Sequence, residues 1–123
     1  MCGIAGFFRY ASDPSLEDTD NLLRVRESML SRGPDSGGLW ISDDRTVGLA
    51  NRRLAIQDLS DSANQPMASE DGALLLVFNG EIYNYPLLRR ELEARGERFR
   101  TTCDTEIILK LYQRDQMRLV DTL

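Results

Sequence analysis

Short apolar runs alternate with polar turns along the chain, and the spacing inside each run predicts its conformation. Residues 2–8, CGIAGFF, combine apolar Ile4, Phe7 and Phe8 with small Gly3, Ala5 and Gly6. This is the pattern of a short buried strand that another backbone or a ligand approaches closely. Asp13-Pro14-Ser15 then breaks the chain. Over residues 16–30, Leu22, Val25, Met29 and Leu30 recur at helical spacing and predict an amphipathic helix, ended by Arg32-Gly33-Pro34-Asp35. Residues 38–42 and 46–56 are rich in strand formers around the polar turn Asp43-Asp44-Arg45, which predicts a hairpin.

Residues 58–69 have the composition of a loop, and 73–78 form a continuous apolar run of strand length, expected to be covered on both faces, that stops at Asn79-Gly80. A helix is predicted over 85–95, with Asn84 as N-cap, Pro86 in the first turn, Leu88 and Leu92 on one face and Gly96 just past the end. The last helix starts after Asp104 as N-cap, with Ile107, Ile108, Leu111 and Tyr112 inward. The order strand, helix, hairpin, strand, helix, helix predicts a mixed α and β domain whose helices cover sheet. Leu119 to Leu123 is apolar with no turn or polar tail after it, so a fragment of a longer chain is expected.

Composition narrows the function. With 123 residues, 41% hydrophobic and 28% charged, the chain suits one soluble domain with a single core. Its net charge of −5 is spread along the sequence, so no basic patch points to nucleic acid or to a membrane surface. No run approaches the roughly 20 apolar residues of a membrane-spanning helix, and no leader pattern opens the chain, so a cytoplasmic location is expected. There are two cysteines, Cys2 and Cys103, without zinc-type spacing, and no histidine. A histidine-based triad or metal site is thereby excluded, no metal is expected, and any cysteine chemistry has to find another base.

Five features stand out as candidate chemistry: Cys2, the RGPD loop, Arg53, the turn Asn79-Gly80-Glu81, and Asp104. Each also has a plain structural reading. Free cysteine packs as a small hydrophobe, Asn-Gly marks a tight turn, Asp104 caps a helix, and Arg53 sits at the surface end of a strand. Together they fit a different pattern. Methionine aminopeptidase generally removes Met1 when the second residue is small, which leaves Cys2 with a thiol and a free α-amino group. That amine titrates near ~8 and can serve as general base for its own thiol. Attack on an amide creates an oxyanion, which an asparagine side-chain amide and a following glycine N–H can stabilise. Arg53 offers a bidentate fork for a substrate carboxylate, and Glu81 and Asp104 offer acceptors for its ammonium group.

The segments MCGIAGF, RGPDSGG, RLAIQDLSDSANQPM, FNGEIYNY and CDTEIIL resemble, in order and spacing, the N-terminal glutaminase domain of glutamine-hydrolysing asparagine synthetases and their class II glutamine amidotransferase relatives. The resemblance runs from Cys2 to about Tyr112. It implies an α+β fold, a four-layer αββα N-terminal-nucleophile hydrolase sandwich truncated at its C-terminus, with residues 1–123 as one glutamine amidotransferase domain. By matching position it makes Cys2 the nucleophile and Asn79 with Gly80 the oxyanion hole. Arg53, Leu54, Ala55, Ile56 and Gln57 line the glutamine pocket, with Arg53 on the carboxylate and Glu81 and Asp104 on the amino group. Glutamine is then cleaved through a γ-glutamyl thioester to glutamate and ammonia.

The same resemblance implies that the ammonia passes to a C-terminal synthetase domain of the same chain, which uses ATP and Mg to activate aspartate; no cofactor is expected in the 123 residues themselves. Partners would be L-glutamine, that domain and, as a further option, a second copy in a homodimer. Two positions depart from the family pattern. Ser31 stands where a histidine commonly precedes the RGPD loop, and Cys103 stands where serine usually precedes DTE. The second thiol is expected to be a packed side chain, though beside the pocket it could form an unwanted disulfide with Cys2. Two other readings stay open: an amidotransferase serving another acceptor, such as a sugar or polysaccharide precursor, and a regulatory domain that binds glutamine without turnover.

Overall fold

A computed structural model describes residues 2–10, 16–56 and 58–123. The break at residues 13–15 and the pocket candidate Gln57 therefore lie outside the described residues, as does Met1. In order, the elements are β1 (Gly3–Phe8), α1 (Leu16–Ser28), β2 (Ser36–Ile41), β3 (Val47–Arg53), β4 (Met67–Ala68), β5 (Leu75–Leu76), α2 (Tyr85–Ala94) and α3 (Thr105–Asp115). A 3-10 turn at Asp61–Ala63 lies between β3 and β4, and another at Gln116–Asp121 follows α3. This is a small α+β chain. No helix among the described residues is long and apolar enough to cross a membrane.

The chain divides into two compact units, the first comprising Met1–Ile56, Asn64–Pro66 and Val77–Asn79. Its frame is an antiparallel sheet in the order β1-β3-β2. The predicted hairpin is present. Its turn is tied by Asp44, whose carboxylate accepts from the Ser42 hydroxyl at 2.6 Å and from the Thr46 N–H at 3.0 Å. β3 stops at Arg53 rather than running to residue 56, and Ile56 is 77% exposed. α1 and the turn after it pack closely on one sheet face: a Cβ on Gly48 would lie 2.4 Å from the Phe7 ring and 2.8 Å from the Leu22 side chain, and one on Gly3 would lie 2.6 Å from the Met29 sulfur.

That packing corrects the predicted stripe of α1. Leu22 is buried, but Val25 and Leu30 are each 48% exposed. The helix ends at Ser28, so Met29 and Leu30 lie past it, and the sheet touches the side of the helix that carries Leu22.

The second unit comprises Gln57–Ala63, Met67–Leu76 and Gly80–Leu123. A cluster of Ala63, Met67, Cys103 and Leu109, with Leu74 and Leu76 against it, forms part of its core. α2 buries Leu88 and Leu92 as predicted, and Gly96 follows with a left-handed φ of +95°. α3 buries Ile107 and Leu111 as predicted, but also Thr105, Glu106 and Leu109, while Ile108 and Tyr112 are only half-buried. Neither predicted N-cap side chain accepts from a backbone N–H of its own helix. The Asn84 amide donates to the Thr122 carbonyl oxygen and the Asp104 carboxylate accepts from the Ile82 N–H, so both are committed to long-range partners.

The run 73–78 is not a strand buried on both faces. Only Leu75–Leu76 pairs, against the two-residue β4, and residues 74–78 are half-buried. Beyond that pair the Phe78 N–H donates to the Gln65 side-chain oxygen at 2.6 Å, so a glutamine amide takes the place of a neighbouring strand.

Candidate active site

In the first unit, β1 starts immediately after Cys2 and runs antiparallel to β3, with Gly3 opposite Arg52. This register lays the residues just after β3 beside Cys2. The Leu54 N–H donates to the Cys2 sulfur at 3.4 Å, and the thiol lies 3.8 Å from the Leu54 carbonyl oxygen. Cys2 is half-buried and free. Its own carbonyl oxygen accepts from the Arg32 Nε at 3.3 Å.

The RGPD loop fixes that approach from the other side. The Asp35 carboxylate accepts from the Ala55 N–H at 2.8 Å, while the Asp35 N–H donates to the Arg53 carbonyl oxygen at 3.1 Å. Gly33 is buried, and a Cβ there would fall 2.3 Å from the Arg52 carbonyl carbon. A side chain at that position would push the loop away from the strand end that carries Arg53 and Leu54.

Arg53 is not the surface residue that a strand end suggests: it is 5% exposed. Its guanidinium donates to the Asn64 side-chain oxygen at 3.3 Å, and the same oxygen accepts from the Ser36 hydroxyl at 3.0 Å. Buried arginine needs organised acceptors around it, and a fork held in this way can take a carboxylate bidentately. Leu54 and Ala55 are half-buried and Asn79 is exposed, all in this unit.

Gly80, Glu81 and Asp104 belong to the second unit, and the chain passes into that unit for the last time at the Asn79-Gly80 peptide. Gly80 and Glu81 are exposed, whereas Asp104 is 6% exposed. Asp104 accepts from the Ile82 N–H at 2.9 Å, which ties the start of α3 to the residue after Glu81. Its other oxygen lies 3.6 Å from the Cys103 sulfur and 3.5 Å from the Thr105 hydroxyl. Cys103 is a free, buried side chain in the core cluster.

Several polar residues that the pattern reading passed over are as buried as the candidates themselves: Asn51, Asp58, Gln65, Thr101 and Glu106. Asp58 accepts from the Ser60 hydroxyl and N–H and from the Thr102 N–H, and these bonds hold its carboxyl well below the usual carboxylate range. The available signal was an acid amid loop residues with Ser two positions later, the spacing of an Asx turn. Among the described residues no three His, Cys, Asp or Glu side chains gather as a metal site.

The family described as "Glutamine amidotransferase domain" matches residues 1–123. The chain is 42% identical to asparagine synthetase (glutamine-hydrolysing) 1 of Bacillus subtilis over 92% of its own length and 18% of that protein's. It is 38% identical to asparagine synthetase B of Escherichia coli over 100% of its length and 21% of that protein's. It is also 39% identical to amidase chry2 of Gibberella zeae, over 92% of this chain and 18% of that protein. It thus spans about a fifth of these relatives. A match over the full 123 residues, joined to this level of identity, shows that the chain belongs to the glutamine amidotransferase domain family.

Proposed function

We propose that residues 1–123 act as the glutaminase domain of a glutamine-hydrolysing asparagine synthetase, folded as part of a four-layer αββα N-terminal-nucleophile sandwich. The observation that carries this reading is the Cys2 sulfur held by the Leu54 N–H, directly after Arg53, in a chain of this family. Removal of Met1 exposes the Cys2 α-amine, which takes the thiol proton as the sulfur attacks the glutamine amide carbon. Asn79 and Gly80 donate to the oxyanion. The amine returns the proton to the departing nitrogen, which leaves as ammonia, and water then hydrolyses the γ-glutamyl thioester to glutamate. Arg53 takes the α-carboxylate, Glu81 and Asp104 take the α-ammonium, and Leu54 to Ile56 with Gln57 complete the pocket wall.

The reading carries a synthetase domain on the same chain, where ATP and magnesium activate aspartate and ammonia is consumed. It also carries a cytoplasmic setting, because disulfides form and persist in oxidising compartments and the nucleophile has to remain a free thiol. Cys2→Ala in the full-length protein should abolish glutamine-dependent asparagine formation and leave the ammonia-dependent reaction intact. Retained glutaminase activity in that variant would sink the mechanism. Intact mass spectrometry gives a direct check of maturation, since a protein that keeps Met1 has no free amine at Cys2.

A second reading keeps the glutaminase half and changes the acceptor. It is favoured by the 39% identity to a relative named as an amidase rather than as an asparagine synthetase. Product analysis with aspartate as the sole acceptor separates the two, because this second reading expects glutaminase activity without asparagine.

A further inference from the structure

The loop that delivers Asp104 is held by two buried carboxylates, and they differ in reach. Glu106, 2% exposed, accepts from the Arg100 N–H at 3.0 Å, the Thr101 N–H at 2.8 Å and the Thr101 hydroxyl at 2.7 Å, all within its own segment. Asp58, 8% exposed, lies 44 residues before Thr102 and accepts from its N–H at 2.7 Å and its hydroxyl at 3.0 Å. It also accepts from the Ser60 N–H at 2.8 Å and the Ser60 hydroxyl at 2.6 Å, which fixes the rotamer of the carboxylate. A carboxylate is costly to bury unless its lone pairs meet donors, so this arrangement resists change.

Thr102 stands two residues before Asp104, and the Asp104 carboxylate in turn fixes the Ile82 N–H, adjacent to Glu81. A continuous path inside one unit thus leads from Asp58 through Thr102 and Asp104 to Glu81. The Asp104 carboxylate takes no backbone N–H of α3; within the helix it meets the Thr105 hydroxyl at 3.5 Å, a longer contact than the 2.9 Å bond it accepts from the Ile82 N–H.

We propose that Asp58 is a positioning residue for recognition of the substrate's α-ammonium group, acting through Thr102 on Asp104 and, by the Asp104–Ile82 bond, on Glu81. The proposal rests on the assignment of Asp104 and Glu81 to that group made above. Asp58 itself touches no substrate. Groups one step removed from a binding residue act by holding it in the productive geometry, and their loss weakens the interaction they orient rather than the chemistry.

The test uses the full-length enzyme with two amide substrates, L-glutamine and glutaramate, which lacks the α-amino group. Asp58→Asn leaves one acceptor oxygen where the carboxylate has two. It should raise KM for glutamine about tenfold, the usual scale for one hydrogen bond to a charged group, while kcat and the kcat/KM for glutaramate stay within about threefold of wild type. Thr102→Ser, which keeps the hydroxyl, should behave as wild type, and Thr102→Val should shift glutamine KM in the same direction as Asp58→Asn. Equal losses on both substrates, or an unchanged glutamine KM, overturn the proposal. Should Asp58→Asn fail to fold, Thr102→Val carries the same comparison with the same criteria. Asp104→Asn separates the layers of the argument: if it leaves the preference for glutamine over glutaramate intact, the ammonium assignment falls and the proposal with it. A preference lost in Asp104→Asn but kept in Asp58→Asn overturns the positioning role alone.

Discussion

A Cβ on Gly38 would stand 1.6 Å from the Gln65 carbonyl oxygen and 2.8 Å from the Pro66 ring. The obstacle is backbone, which cannot swing aside as a flexible side chain does. Gly38→Ala should therefore destabilise the protein by about 3 kcal/mol, the upper range for overpacking, read as a lowered midpoint in urea. Gly72→Ala meets nothing within 4 Å and is opposed only by its φ of +71°, so about 1 kcal/mol is expected there. At Asp58 the prediction concerns pH. Its folded carboxyl titrates below its ordinary value because the Ser60 and Thr102 donors favour the charged form. The stabilisation is then complete above the unfolded value of about 4 and is lost as pH falls from there toward the lower folded value. Denaturation midpoints measured from pH 6 down to pH 2 should fall more steeply for wild type than for Asp58→Asn. Parallel curves would show that these bonds contribute nothing to the acid limb.

Among the helices, burial divides residues that periodicity treats alike. Ile107 and Leu111 in α3 are 0% and 1% exposed. Truncating either to alanine leaves a cavity and should cost about 2–5 kcal/mol. Val25→Ala in α1, at a position 48% exposed, should stay near 0.5 kcal/mol by the same chemical denaturation measurement. The contrast tests the corrected face of α1 directly, because a buried Val25 would cost several times more. α1 and α3 also show what an apolar period conveys. It announces a helix wherever the spacing holds, but the width of the buried stripe depends on what lies across from it. α1 meets a single sheet face, whereas α3 is buried widely enough to enclose Glu106 with its own set of donors. The run 73–78 failed as a strand for a related reason: its apolar residues suit a sheet, but the neighbouring segment pairs at only two positions.

For the molecule as a whole, the absence of histidine has a measurable result. No imidazole can change charge between pH 5 and 8, so below the ~8 at which an α-amine titrates folding stability should be nearly flat down to about pH 5.5, with the main slope on the acid side where carboxylates titrate. A Tm that moved by more than a few degrees between pH 5.5 and 7.5 would contradict this. Much was legible from local order alone: β1 as a strand, although Ile4 and Phe8 are 45% and 59% exposed where the pattern predicts a buried strand, the β2–β3 hairpin, the three helices, and five motifs whose order points to one family. These signals reside in neighbouring residues, in apolar period, turn chemistry and motif spacing, so they survive without a fold. The tertiary structure decided which polar groups meet. Leu54 reaches Cys2 across 52 positions, Thr102 reaches Asp58 across 44, and Ile82 reaches Asp104 across 22. It also turned two predicted helix caps to other work and buried Arg53 behind Asn64. A buried donor has to find an acceptor, but which one it finds depends on how distant segments pack, and no local pattern carries that information.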